Sequence, residues 1–327
     1  MKTIFPESVS LRKAPLNINN QDEALFAHEY KAVIHKSTLL TVRNAYVLNN
    51  MILCPSHFRF YNDYSLIHPI KYKDYIKNFL LLKKKSIRVK SAVWITDENA
   101  YGYFHWLTDC LPRLIVAEAS VTNHVVLLPK RLETIRFIQD SLNFFNIKSY
   151  YYDCNISLKI KQLLLPSHCA PSGNYNVITL NKLRQKIAGN LSEKPTRNIY
   201  ISRQKAEKRK VLNETAVIAL LKQFNFEVHF FEDYSFAHQV ELMKESKCLV
   251  GLHGAGLTNM LFMQERTKIL EFRNTNDAHN NCYFSLASDL NIDYYYQLSQ
   301  GDTIDTHEVN LTIDLNVLKS NLEAMFR

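Results

Sequence analysis

Residues Cys248 to Met263 read CLVGLHGAGLTNMLFM, and three of the seven glycines in this 327-residue chain, Gly251, Gly254 and Gly256, fall within them. The run KCLVGL has the composition of a buried strand, and the apolar residues after the glycines predict a helix from about Leu257. Glycine supplies positive φ or lets another group approach the backbone closely. Strand, glycine loop and helix make one step of an open αβ sheet. In such sheets ligands bind outside the carboxyl ends of the strands, near helix N-termini that favour anions.

The flanking sequence repeats that step. RNIYIS and FEVHFF read as strands, NETAVIALLKQFN as a helix capped by Asn213, and SFAHQVELMKES as a helix capped by Ser235. TKILEFR and IDYYYQL complete this half. Upstream, KAVIH, LLTVRNAYVL and NMILCP predict a strand meander, and Ser91 to Thr96 a buried strand. YGYFHWLTDCLPRLIVAEAS and KRLETIRFIQDSLNFFN have helical spacing, whereas HVVLLP, KSYYY and LKIKQLLLP read as strands. The expected fold class is α/β, as two successive Rossmann-like halves. The stretch SHCAPSGNYN gathers turn residues, so the expected domains are 1–166 and 167–310, with a C-terminal helix in 311–327.

Net charge is +9, which suits nucleic acid, an anionic membrane surface or phosphate-bearing substrates. No nucleic-acid-binding module is recognisable, and no nucleic-acid partner is expected. The six cysteines are scattered without a CxxC pair, consistent with reduced thiols. The N-terminus has no apolar core of signal-peptide length, and no apolar run reaches the roughly 18 residues that span a bilayer. A cytoplasmic protein is expected, touching a membrane peripherally at most.

Three motifs carry chemistry. GLHGAGLTN fits neither the GxGxxG fingerprint nor a Walker loop. It is either a tight turn capped by Thr258 and Asn259, or a cradle. As a cradle, free N–H groups from Gly254, Ala255, Gly256 and Leu257, with His253, Thr258 and Asn259, hold a phosphate or diphosphate. ISRQKAEKRKVLNE places Arg203 just past a strand end, with Lys205, Lys208, Arg209 and Lys210 following. That loop is either a solvated surface or a set of cations for a diphosphate, with Arg203 and Arg209 as the ligands. In YGYFHWLTDCLPRL, His105 and Asp109 share a helix face and Arg113 follows one turn on. They make either a buried histidine satisfied by an aspartate, or a general base with its partner for a sugar hydroxyl. Pro112 is expected to kink or end this helix, and Trp106 to lie in the core. Glu271, in KILEFR, is either an exposed strand-end charge or an acceptor for ribose hydroxyls, and Glu232 and Asp233 raise the same question more weakly. No Asp-x-Asp occurs, so a diphosphate is expected to be held by cations and a helix N-terminus without a metal.

The order and spacing of these motifs, from Tyr101 to Phe272, resemble those of the family 61 glycosyltransferases. The resemblance implies a GT-B architecture, two Rossmann-like domains facing across a central cleft. It also implies inverting transfer from a nucleotide sugar, UDP-linked in the eukaryotic members, with no further cofactor. By motif position, Arg203, Lys208, Arg209, His253, Gly254, Ala255, Gly256, Leu257, Thr258, Asn259 and Glu271 would bind the donor. His105 and Asp109 would be catalytic, with Tyr103 and Arg113 on the acceptor side. Lacking the signal anchor of the lumenal members, the chain resembles the bacterial branch associated with capsule and other surface polysaccharides. Its acceptor would then be a growing polysaccharide or lipid-linked glycan at the inner face of the membrane, with FLLLKKKSIRVK, residues 79–90, facing anionic lipid. The alternative is a catalytically silent relative that acts as an assembly partner in a polysaccharide complex.

Overall fold

The computed structural model describes all residues except 67, 70, 85, 191–193, 276, 278–279, 304 and 306–307. The chain divides into two compact units: Met1–Ser8, Ile34–Ser172 and Ile178–Lys186 form one, and Val9–Val33, Gly173–Val177 and Ile187–Arg327 form the other. It opens with β1 (Lys2–Phe5), β2 (Ser8–Leu11), the single turn α1 (Glu23–Phe26) and β3 (Lys31–Ile34). Changes of unit fall between Ser172 and Gly173 and again at both ends of Ile178–Lys186. Linear boundaries cannot express the early arm Val9–Val33, which belongs to the second unit. Arg12, buried there, bonds Glu29 at 2.8 Å, Asn174 at 2.8 Å and Asp289 at 3.3 Å.

The first unit adds β4 (Ser37–Leu48), β5 (Met51–Cys54), β6 (Arg59–Phe60), α2 (Tyr72–Leu80) and β7 (Ile87–Val93). Next come α3 (Tyr103–His105), α4 (Leu111–Ala117), β8 (Val125–Pro129), α5 (Arg136–Asn143), β9 (Lys148–Tyr152), β10 (Ser157–Pro166) and α6 (Val177–Ala188). Strand order is β6-β5-β4-β10-β7-β8-β9, with β1 also on β4. The strands β10, β7, β8 and β9 run parallel. Because β8 and β10 lie on opposite sides of β7, the order reverses between β7 and β10, which makes a topological switch point.

Two details differ from expectation. Only β4, β5 and β6 form the antiparallel meander, while β3 pairs with β2 in a separate ladder. The strand expected at Ser91–Thr96 begins at Ile87 and ends its ladder at Val93. Its first half alternates exposed Arg88 and Lys90 with apolar residues, so it lacks the continuous apolar run of a buried strand.

The second unit comprises β11 (Arg197–Ile201), α7 (Glu214–Gln223), β12 (Phe226–His229), α8 (Phe236–Lys244), β13 (Ser246–Leu252) and β14 (Lys268–Asn274). It ends with α9 (Cys282–Asp289), β15 (Asp293–Gly301), β16 (Leu311–Thr312) and α10 (Leu315–Phe326). Strand order is β12-β11-β13-β14-β15-β16, parallel through β15. Here the switch point lies between β11 and β13. Val217, Val250, Leu270, Leu318 and Leu322 are fully buried in its core, each contributing roughly 1.5–3 kcal/mol. Ser235 caps α8, accepting from the His238 amide at 3.2 Å. Asn213 does not cap α7. Its side chain instead bonds the backbone of Ile313, donating at 2.8 Å and accepting at 3.0 Å, and so pins the C-terminal segment. No described helix is long and apolar enough to cross a membrane.

Candidate active site

In the first unit, chain leaving β7 runs through Trp94 to Asp97 and then into α3. The helix does not stop at Pro112. A wide π-helical turn, Trp106–Cys110, joins α3 to α4. Such a turn loosens the hydrogen-bond ladder, so the missing N–H and bulky ring of Pro112 are accommodated. The Thr108 hydroxyl donates to the Phe104 carbonyl at 2.9 Å and supports the same turn. Trp106 is fully buried and donates to Ser141 at 2.8 Å, so it is core.

His105 and Asp109 meet as their spacing predicts. Nδ1 of His105 lies 2.8 Å from Oδ2 of Asp109, which also accepts from Ser172 at 2.9 Å. The other Asp109 oxygen lies 3.2 Å from the Thr108 hydroxyl, whose one proton it shares with the nearer Phe104 carbonyl. With Nδ1–H given to Asp109, Nε2 of His105 carries the lone pair, and 30% of the side chain remains exposed. Burial pulls the imidazole down, but the bond to Asp109 and the charges of Asp109 and Asp97 outweigh it and raise its pKa above 6.5. Asp97, 4% exposed, is itself pushed up by burial, although the Asn99 amide donates to it at 2.9 Å. Sequence reading passed over Asp97 and Ser172. Asp97 had a signal, since it directly follows the apolar run VWIT at a strand end, much as Arg203 follows NIYIS. Ser172 had none beyond its place in a turn-rich stretch.

Arg113 is completely buried. Its nitrogens donate to the carbonyls of Tyr64 at 2.7 Å, Ile95 at 3.0 Å and Pro166 at 3.1 Å, so it ties the ends of β7 and β10 together. This placement corrects the expectation of an acceptor contact, because no face of the guanidinium is open. Tyr103 is half-buried, edge-on to Phe137 with ring centroids 5.0 Å apart.

In the second unit the basic loop and the glycine loop come together at the switch point. Arg203 follows β11, and its Nε and Nη2 donate to the carbonyls of Arg209 at 2.8 Å and Lys208 at 3.0 Å. Arg209 adopts φ 59°, a left-handed conformation that turns its carbonyl toward Arg203. The third nitrogen, Nη1, lies over Gly254, where an added Cβ would fall 2.5 Å from it. Gly254 has φ 168°, extended backbone, so it is the close approach of Arg203 that excludes a side chain here. Burial and then the Arg209 charge lower the Arg203 pKa, the mark of a poorly solvated cation. A short 3₁₀ helix, Ala255–Phe262, starts beside it, and the first amides, of Ala255 and Gly256, lack intrahelical acceptors. Both residues are part-exposed.

Other predicted donor contacts fall elsewhere. Leu257, Thr258 and Asn259 are buried, and Asn259 donates to the Gly256 carbonyl at 3.0 Å, so these three shape the loop from behind. Lys208 is exposed and pairs with Glu308 at 3.4 Å, and Lys205 pairs with Asp233 at 2.5 Å. Glu271 is neither exposed nor free for ribose. It is 1% exposed, bonded to Nδ1 of His253, and accepts from Tyr294 at 2.5 Å. Burial would raise its pKa, yet the adjacent His253 charge and hydrogen bond hold it below the usual value. Glu271 thus orients His253, whose Nε2 lies 3.0 Å from the Asn280 amide.

Sequence reading missed Tyr283, on α9, whose ring meets that of His253 edge-on at 5.0 Å. It also missed Glu214, buried beneath the basic loop, which accepts from Tyr200 and Ser202 at 2.8 Å each. Neither had a local signal beyond an aromatic or an acid in a helix.

Comparison with known proteins gives two kinds of match. The family model described as Glycosyltransferase 61 matches residues 103–270, just over half of the chain. The EGF domain-specific O-linked N-acetylglucosamine transferase of Drosophila melanogaster is 32% identical over 123 residues, covering 36% of this chain and 23% of that protein. The protein of the same description from Xenopus laevis is 29% identical over 136 residues, 40% of this chain and 26% of the relative. The Mus musculus protein is 31% identical over 101 residues, 29% and 19% respectively. The chain therefore spans about a quarter of the length of the curated relatives it matches, or less.

Proposed function

The chain belongs to glycosyltransferase family 61, and from there we propose that its second unit holds a nucleotide-sugar donor while His105 of its first unit activates the acceptor hydroxyl. Sugar transfer itself follows from the family. The finer reading is supported chiefly by one observation: the basic and glycine motifs, far apart in sequence, meet with Arg203 Nη1 lying over Gly254. A cation and free amides at the carboxyl ends of parallel strands suit a diphosphate.

Transfer then proceeds as a single displacement. Nε2 of His105 takes the acceptor hydroxyl proton, and the oxygen attacks the anomeric carbon. The bond from that carbon to the diphosphate breaks with inversion. Asp109, already engaged by Ser172 and Thr108, fixes the histidine tautomer and stabilises the imidazolium. Arg203, with Arg209 beside it, and the Ala255 and Gly256 amides stabilise charge on the departing nucleoside diphosphate, so the reaction needs no metal. The two units correspond to the acceptor and donor halves of a GT-B transferase, each with its parallel strands and switch point.

The donor is UDP-linked, and N-acetylglucosamine is the first sugar to test, since the animal relatives are described as transferring it. The acceptor is a surface polysaccharide or lipid-linked glycan, for which the net charge of +9 supplies attraction to phosphate-bearing groups. The test is release of nucleoside diphosphate from a panel of nucleotide sugars, with and without EDTA. Release that persists in EDTA and is lost in Arg203→Ala is the expected result. No release from any donor, together with no thermal stabilisation by any nucleotide, would favour the assembly-partner role instead.

A further inference from the structure

The first sheet carries a charged region that the transfer reaction does not use. Register pairs Lys159 of β10 with Tyr46 of β4 and with Arg88 of β7, so these residues share a face with Asn44, Lys161 and Lys90. Val42, Leu163, Ala92 and Trp94, further along the same strands, are buried in a cluster with Ala45, Val47, Leu158 and Ile160, whose side chains alternate with those of Tyr46 and Lys159. The Tyr46 and Lys159 face stays open at the amino ends of β7 and β10. Asn44, Arg88, Val89, Lys90, Lys159 and Lys161 line a cavity of about 460 Å³ that has no carboxylate among its described lining residues. Lys159 sits over the Tyr46 ring at 5.6 Å, while Arg88, Lys90 and Lys161 make no ion pair among the described residues.

Tyr46 also joins this region to α2. It packs in the apolar cluster of Leu48, Met51, Leu53 and Leu81, against which Tyr75 and Phe79 of α2 are laid. With Tyr75, Asn78 and Phe79 turned inward, Tyr72, Ile76 and Leu80 are left 78%, 47% and 50% exposed, four residues apart on one stripe. Phe58 nearby is 72% exposed, edge-on to Phe60, which in turn meets Tyr75. Lys71, Lys73, Lys77, Lys83 and Lys84, all exposed, flank the stripe in sequence, and Asp74 is the one carboxylate on α2.

We propose that this face docks on an anionic lipid bilayer. The stripe of Tyr72, Ile76 and Leu80 enters the headgroup boundary and the basic cavity takes lipid phosphate. An exposed apolar stripe ringed by lysines is the composition of an interfacial helix. A soluble polyanion would leave the stripe without a purpose, and a second copy would set one positive face against another. The linear segment named from sequence, residues 79–90, is redistributed by the fold. Phe79 and Leu81 point inward, Leu80 outward, and Lys85 lies outside the described residues.

The test is co-flotation of the full chain with vesicles of phosphatidylcholine alone, and of phosphatidylcholine mixed with phosphatidylglycerol. Binding to the anionic vesicles only, falling with salt, is expected. Ile76→Ser with Leu80→Ser, and separately Arg88→Glu with Lys161→Glu, should each weaken it about tenfold. Both variants should keep the parent's melting temperature and nucleotide response, since all four residues are exposed and outside the transfer machinery. Absence of flotation by the parent chain overturns the proposal. So does full binding by the Ile76→Ser, Leu80→Ser variant when the charge reversal abolishes it, because the face would then be reading a soluble polyanion.

Discussion

Each unit holds an arginine at the ends of the strands that flank its switch point, and the two arginines have opposite fates. Arg113 donates to the carbonyls of Tyr64, Ile95 and Pro166 and is sealed in. Arg203 donates to two carbonyls of the basic loop, those of Lys208 and Arg209, and its third nitrogen lies over a glycine. The contrast shows that an arginine becomes structural when enough diverging carbonyls surround it, and stays available for an anion when they run short. The furnishing of the two crevices differs in the same way. Side chains, His105 with Asp109, equip the first, whereas a cation and backbone amides equip the second.

The largest effects should separate proton transfer from donor binding. His105→Ala should lower transfer on the order of 10² to 10⁴ while leaving nucleotide affinity intact. Arg203→Ala should lower it on the order of 10² to 10³ and weaken nucleotide binding as well, read by kinetics and titration together. Equal losses of nucleotide affinity in both variants would break the division of roles. Next in size, Arg113→Met should destabilise the chain by roughly 3 kcal/mol in denaturant unfolding, because it strands buried carbonyls. Arg203→Met should change stability far less.

Gly254→Ala sharpens the comparison further. Its Cβ would fall 2.5 Å from Arg203 Nη1, so the guanidinium must move. Nucleotide affinity should drop about tenfold, and the effect should vanish in an Arg203→Ala background, as expected for residues in contact.

The smallest effect is a pH shift. His105 has its pKa raised above 6.5, so the acid limb of kcat/KM should lie above that value, and Asp97→Asn should move it down. The same shift gives protonated His105 a stabilising contribution that is fully present below pH 6.5 and is lost as pH rises through the raised value. An unmoved limb in Asp97→Asn would remove Asp97 from the account.

Much of this was legible locally. Strand, loop and helix order followed from periodicity and from glycine placement, and the His105–Asp109 pair followed from i,i+4 spacing. What was not legible depended on partners distant in sequence. Glu271 looked like a ribose acceptor because a strand-end acid has that role in other folds, but His253 and Tyr294 claim both its oxygens. Asn213 looked like a helix cap because nothing in its neighbourhood announces Ile313, one hundred residues on. Tyr283 joins the glycine loop only because α9 packs beside it, and the early arm Val9–Val33 joins the second unit through Arg12.

The most direct test is isothermal titration of UDP into the parent chain, Arg203→Ala and His105→Ala, each in EDTA. Binding that is retained in His105→Ala and lost in Arg203→Ala is the predicted result. Unchanged binding in Arg203→Ala would contradict the assignment of the second unit's switch point as the donor site.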